Sequence, residues 1–380
     1  NIDFIRSLVR ISDLAFRGQF REQQTSTVPG NKADVLDGTK IASPTQAAYN
    51  RIRLGYDSIE SLDVTDAAGT TTKTSANGST VTISYNYTDT TGTTPVNKTG
   101  NMNVTVYDSY DKWLEASTKT PKSYDIADGE AVLIRNTGEM VFSKTAADTL
   151  STNKASLDIS YTKTGFTNGE LRPEYYYNCT NITDTNNKLK YEKYDKDGNQ
   201  IYQDIDYVVA ANQTLTVNTE ASNVFDHGLS RDVDELIDAV QRSLDAEQKV
   251  TDLNAMKKMQ EYSSDDCQAK LEEWIAAAEK ERDYANDNMQ KLYNSYIGNC
   301  DTYLNKVNLA LTDVGSKGQS LALTKNRMSN EQETMEELKS KNEDRELSDI
   351  ILEYTAAYTA YQSSLQAASK VNQVTLLSYL

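Results

Sequence analysis

The stretch Leu347-Ser-Asp-Ile-Ile-Leu-Glu-Tyr-Thr-Ala-Ala-Tyr-Thr-Ala-Tyr-Gln-Ser-Ser-Leu-Gln-Ala-Ala-Ser-Lys-Val371 decides the reading of the whole chain. Apolar residues fall at Leu347, Ile350, Ile351, Tyr354, Ala357, Tyr358, Tyr361, Leu365, Ala368 and Val371, in steps of three and four that put them on one face of a helix. The stripe continues through Leu376 and Leu377 to Leu380, and no Gly or Pro interrupts the chain after Gln319. Much of it is Ala and Tyr, which pack by close approach and by aromatic faces with polar tips. Spacing alone fits a C-terminal core helix of a bundle. A stripe that stays apolar to the last residue points instead to a helix partner on another molecule.

Upstream, the helical pattern begins at Ser230, read as an N-cap, with Asp232 and Asp234 in the favoured first turn. Val233, Leu236, Ile237, Val240 and Leu244 are expected to form its apolar face. After a polar break, Cys267, Leu271, Trp274, Ala278, Ala285, Met289, Leu292 and Tyr296 keep a heptad-like register, which Tyr303, Val307, Leu311 and Val314 continue. One very long helix, bent near Gly298, is the expectation. The charged run Ser340-Lys-Asn-Glu-Asp-Arg345 is expected to divide it from the terminal helix.

The first part of the chain has another character. All five prolines lie before His227, and the apolar period there is two. Thr80-Val-Thr-Ile-Ser-Tyr-Asn-Tyr87 puts Val81, Ile83, Tyr85 and Tyr87 on one face of a strand. Asn101–Tyr107 is expected to pair with it after a Gly100-Asn101 turn. Ala131–Arg135 and Met140–Phe142 flank Asn136-Thr-Gly138, where Gly supplies positive φ. Ser156–Tyr161 alternates, Asp195-Lys-Asp-Gly198 reads as a hairpin turn, and Leu215 and Val217 close the series. The fold class expected is α+β: a mainly antiparallel β domain followed by long helices. The expected domains are an irregular, partly helical segment over 1–50, a β-rich domain of one or two subdomains over 51–228, a helical rod over 229–343, and an assembly helix over 344–380.

A net charge of −17 over 380 residues argues against binding to phosphate backbones. No apolar run approaches the roughly twenty residues that span a bilayer. Cys179, Cys267 and Cys300 are too few and too scattered for a disulfide framework or a zinc site, and Cys267 falls on an apolar helical stripe. Triplets such as Asn77-Gly-Ser79 and Asn212-Gln-Thr214 carry no glycosylation signal in a chain so rich in Asn and Thr. Asn1 is not an initiator Met, so a processed or truncated start is expected.

Asp344-Arg-Glu-Leu-Ser-Asp-Ile-Ile-Leu-Glu353, Tyr361-Gln-Ser-Ser-Leu-Gln-Ala-Ala-Ser-Lys370 and Leu376-Leu-Ser-Tyr-Leu380 together resemble the carboxyl terminus of the flagellin superfamily. Within it they are most similar to the hook–filament junction (third hook-associated) proteins. Asp313–Gln319 with Asn326-Arg-Met328 resembles the preceding rod helix. Asn50–Asp57, Ile134–Met140 and Ser160–Leu171 resemble the enlarged central domain of clostridial-type junction proteins. The resemblance implies a structural flagellar component, exported unfolded, whose partners are adjacent axial proteins and copies of itself. It also implies that Leu347, Ile350, Ile351, Tyr354, Tyr358, Tyr361, Leu365, Ala368, Val371, Leu376, Leu377 and Leu380 face those partners outside the cell. Asn1–Ile11 reads as a short helix and does not match the family's amino-terminal opening, so the amino-terminal rod half is expected to be missing.

Catalytic chemistry finds little support. Asp195, Asp197 and Asn199 lack the Gly and Glu spacing of a calcium loop, and Gly315-Ser-Lys-Gly318 lacks that of a phosphate loop. His227 is the only histidine, beside Asp226 and Gly228 where a turn residue is expected. No catalytic residue, cofactor, metal, nucleic-acid or membrane site is assigned. The alternatives are filament flagellin and a β-headed adhesin on a coiled-coil stalk. An enzyme would require Trp113, Tyr175 and Tyr177 to gather around an acidic cleft.

Overall fold

The computed structural model describes residues 2–10, 17–23, 25–89, 94–119, 122–184, 186–195, 198–210 and 213–373. The protein is α+β, with a mixed sheet of mostly antiparallel strands and long C-terminal helices. It divides into two compact units, Asn1–Gln203 with Glu220–Leu309, and Asp204–Thr219 with Ala310–Leu380.

The first unit holds β1 (Ile2–Arg10), β2 (Arg17–Gln23), β3 (Thr45–Arg53), β4 (Ile59–Thr65), β5 (Thr71–Thr74), β6 (Ser79–Asp89), β7 (Val96–Tyr107), β8 (Ala131–Ile134), β9 (Glu139–Phe142), β10 (Ser156–Lys163), β11 (Asn178–Asn181) and β12 (Leu189–Tyr191). Their order is β12-β11-β1-β10-β6-β7-β8-β9-β3-β2, and β4 also pairs with β10 and carries β5. All pairs are antiparallel except β7 with β8. Short helices α1 (Lys32–Leu36), α2 (Tyr110–Glu115), α3 (Lys144–Thr152) and α4 (Ala221–Val224) interrupt the strands. Two long helices, α5 (Gly228–Lys257) and the first part of α6 (Asp265–Glu343), complete the unit.

The alternating strands fold as their period requires. Ile83 enters the main core with Leu133, Met140, Phe142, Leu157 and Tyr161, and Val81, Tyr85 and Tyr87 pack against it. On the opposite face of β8 and β9, Val132, Ile134 and Val141 meet Trp113, Tyr110 and Tyr49. A third core closes the α5–α6 end, where Leu253, Cys267, Leu271 and Trp274 surround Val35 of α1. The Trp274 indole N–H donates to the Val35 carbonyl at 3.1 Å.

Several expectations need correction. Ile2–Arg10 is a strand, not a short helix, because β10 and β11 both offer it a ladder and tertiary pairing overrides a weak local preference. Residues 1–50 therefore contribute β1, β2 and most of β3 to the sheet. The boundaries at 50 and 228 do not separate compact units, since α5 and residues to Leu309 belong with the sheet. Gly100 is not in a turn but inside β7 opposite Tyr85. A Cβ there would lie 2.3 Å from the tyrosine ring, so glycine makes room for that ring. Ser230 sits within the first turn of α5, which starts at Gly228 with His227 at the cap position and no side-chain cap.

The second unit holds the hairpin β13 (Asp206–Ala210) and β14 (Gln213–Thr216), the distal part of α6, and α7 (Leu347–Gln373). Lys317 donates to the Asn218 carbonyl at 3.0 Å and tethers the hairpin's end to α6. The 79-residue α6 runs unbroken through Gly298, Gly315 and Gly318. It ends at Glu343, so the first four residues of the charged run continue the helix and only Asp344 and Arg345, with Glu346, separate it from α7.

Candidate assembly surface

On α7, Leu347, Ile351, Tyr354, Tyr358, Tyr361, Leu365 and Ala368 alternate steps of four and three, the heptad pattern of a helix that packs on another helix. Ile350, Ala357, Ser364 and Val371 flank this seam on one side, and Ser348, Thr355, Gln362 and Ser369 on the other. No charge falls on the seam or on either flank. Asp349, Glu353 and Lys370 all lie on the far side. Among the described residues nothing covers this face. Tyr361 is 60% exposed and Ile351 55%, and every described assembly residue of α7, from Leu347 to Val371, is exposed. Leu376, Leu377 and Leu380 lie outside the described residues.

The distal part of α6 is also bare. Val314, Leu321, Met328 and Met335 recur every seven residues and are exposed. A constant seven-residue apolar column favours a left-handed superhelical partner.

The first unit carries another apolar surface, which on α5 includes residues expected to form its packing face. Val233, Ile237 and Leu244 of α5 are exposed, with Tyr293, Ile297 and Leu304 of α6. The buried face of α5 is instead Asp232, Ala239, Ser243, Ala246, Val250 and Leu253. The cause lies in the sheet. Arg51 and Arg53 of β3 point into the helix layer, Arg51 with 1% of its side chain exposed. Buried guanidinium groups require carboxylate partners.

Those partners come mainly from α5. Arg51 pairs with Glu139 of β9 and Glu235, and also reaches the Tyr296 hydroxyl at 3.3 Å. Arg53 pairs with Asp232. Asp232 also accepts from the Asn299 amide and the Tyr303 hydroxyl, each at 2.9 Å. Arg231 donates to the carbonyls of Leu54 and Thr137. Burial pushes the carboxyls of Asp232 and Glu139 up, but Arg53 and Arg51 outweigh it and hold both below the usual range. Sequence reasoning missed this network. Its one signal was the pattern Arg51-Ile-Arg53, two cations on the strand face that also carries Ala47 and Tyr49.

His227 meets a specific setting at the start of α5. Its Nε2 lies 2.6 Å from the Tyr177 hydroxyl and its Nδ1 3.7 Å from Asp226. Burial pushes the imidazole pKa down to about 4, against the pull of Asp226. A neutral ring accepts from Tyr177 and turns its N–H toward the carboxylate. Asp226 is itself held by Lys306 at 2.9 Å. The arrangement joins strand layer to helix.

Other sequence candidates disperse. Trp113 is buried against Tyr124 with ring centroids 5.0 Å apart, Tyr177 stacks edge-on with His227, and Tyr175 is exposed, so the three do not share a cleft. Asn199 donates its backbone N–H to Asp195 Oδ1 at 2.8 Å and Gly198 has φ +83°, as a turn requires. Gly315–Gly318 is helical, without the loop that cradles phosphate. Cys267 is a fully buried core residue, and burial pushes the Cys179 thiol up to about 12. Among the described residues no group of three His, Cys, Asp or Glu side chains is placed to hold a metal ion.

Comparison with known proteins finds no matching family model, no matching curated protein and no matching solved structure.

Proposed function

We propose that the chain is a structural, non-enzymatic subunit of the bacterial flagellum, the adaptor that joins hook to filament by packing its helices against those of neighbouring axial proteins. The observation that carries this reading is the bare α7 seam: a heptad stripe flanked by uncharged residues and left open to solvent. An isolated helix of this kind is marginal in water and gains its stability from a partner. The exposed apolar face of α5 supports the same reading, because contiguous apolar patches of this kind mark interaction surfaces. The resemblance of residues 344–380 to flagellin-superfamily termini supplies the identity of the assembly.

The test is a double substitution, Tyr361→Asp with Leu365→Asp, in flagellated cells whose own copy is replaced. The variant is expected to be secreted and to leave hooks without filaments, because two charges enter a packed seam. Normal filaments would sink the proposal and favour the adhesin. In the purified protein, amide hydrogens of α7 should exchange rapidly and become protected only on assembly.

A further inference from the structure

Lys163, the last residue of β10, has 2% of its side chain exposed, yet its amine is held by two carboxylates. Nζ lies 3.0 Å from Asp57 Oδ1 and 2.9 Å from Glu170 Oε1, and it also donates to the Asp57 carbonyl at 2.9 Å. The rings of Tyr56 and Phe166 stand over the amine at 5.8 and 5.4 Å. One cation between two acids, walled by aromatics, is more than an ion pair needs.

Each acid is held in place by its own surroundings. Glu170 Oε2 accepts from the backbone N–H of Thr167 at 3.0 Å and from its hydroxyl at 3.3 Å, which aims Oε1 at the amine. Asp57 precedes Ser58, whose φ of +47° is a strained conformation for a residue with a Cβ. The strain holds the turn so that both the carbonyl and the carboxyl of Asp57 face Lys163.

We propose that Lys163 and Asp57 form an intramolecular isopeptide bond, with Glu170 carrying the protons. Passing one proton from Nζ to the Asp57 carboxyl leaves a neutral amine beside a neutral acid. The amine lone pair attacks Cγ of Asp57, and Glu170 takes a proton from Nζ and delivers it to the departing hydroxyl. The Nζ–Cγ bond forms, a C–O bond breaks and one water leaves through the solvent-facing side of Asp57, which is 41% exposed. An ammonium and a carboxylate thus give one amide and one water, with no other reactant. The fold supplies the proximity that makes this condensation feasible. The bond ties the end of β10 to the turn that enters β4, next to the ladder between these strands, and so resists separation of the sheet under load.

Intact-mass measurement of the purified, folded protein tests this. The wild type should be lighter than its sequence by one water, and digestion should release a branched peptide joining residues 57 and 163. Asp57→Ala and Lys163→Arg should restore the full mass. Glu170→Gln should also restore it while keeping the circular dichroism of the wild type, which separates loss of the proton carrier from loss of the fold. A folded wild type at full sequence mass would overturn the proposal. So would a water loss that persists in Asp57→Ala, since it would lie elsewhere, and its persistence in Glu170→Gln would remove Glu170 from the reaction.

Discussion

Arg53 of β3 and Asp232 of α5, 179 residues apart in the chain, form a buried ion pair in which the arginine is 8% and the aspartate 1% exposed. Asp232 also accepts from Asn299 and Tyr303 of α6, so a single carboxylate links the sheet to both long helices. Asp232→Ala would remove the nearer of the two carboxylates that hold Arg53, leaving Glu235 at 3.4 Å, and would take a shared acceptor from Asn299 and Tyr303. The expected loss is about 3–5 kcal/mol of unfolding free energy, measured by urea denaturation. A change below about 1 kcal/mol would mean that the pair is solvated.

The orientation of α5 makes an unusual contrast between neighbouring positions. Ile237→Asp places a charge on the exposed face and should change stability by no more than about 0.5 kcal/mol. Ala239→Asp, at a residue 2% exposed, should cost several kcal/mol or prevent folding. Thermal melts of the two variants decide which face is buried, and the reverse ranking would restore the face expected from hydrophobicity.

His227 imposes a pH dependence of defined sign. Its folded pKa, about 4, lies below the unfolded value near 6.5. The folded protein therefore binds fewer protons in that window. Stability is complete above pH 6.5 and falls as pH drops toward 4. With the ring about a third exposed, the effect is on the order of 1 kcal/mol. Below that window the carboxyls of Asp232 and Glu139, held low by their arginines, are protonated in turn and further stability is lost. His227→Gln should flatten the first phase and leave the second, as read from urea midpoints between about pH 7 and 2.

Gly138 closes the β8–β9 turn with φ +60°, and a Cβ there would stand 2.0 Å from the Tyr56 carbonyl oxygen. Backbone cannot step aside as a side-chain end can. Gly138→Ala should cost at least about 1–3 kcal/mol in denaturant titration. Gly100→Ala meets only a ring and should cost less.

The segment 51–217 should fail to fold when expressed alone. Strand β1 lies between β10 and β11 in the sheet, β2 covers the edge of β3, and the partners of Arg53 are on α5. Circular dichroism and amide exchange should report an unfolded chain. A cooperatively folded segment would show that the helices only decorate the sheet.

Periodicity by itself determined the fold class, the β6–β7 and β8–β9 hairpins, the length of α6 and, to within a few residues, the break expected at 340–345. Each is a local matter: side chains two apart share a strand face, side chains three and four apart share a helix face, and a cluster of charges gives no face to bury. The seam of α7 was equally legible as a pattern, though only the structure shows it exposed among the described residues. Three other features depended on tertiary structure. Ile2–Arg10 became a strand because β10 and β11 present it with unpaired backbone. Lys163, Asp57 and Glu170 converge because a strand end, a strained turn and a loop meet there. The buried face of α5 was decided against hydrophobicity, because two buried arginines on β3 need carboxylates more than the core needs Val233 and Ile237. Desolvating an unpaired charge costs more than leaving a few aliphatic side chains in water, and that comparison requires knowing which residues meet.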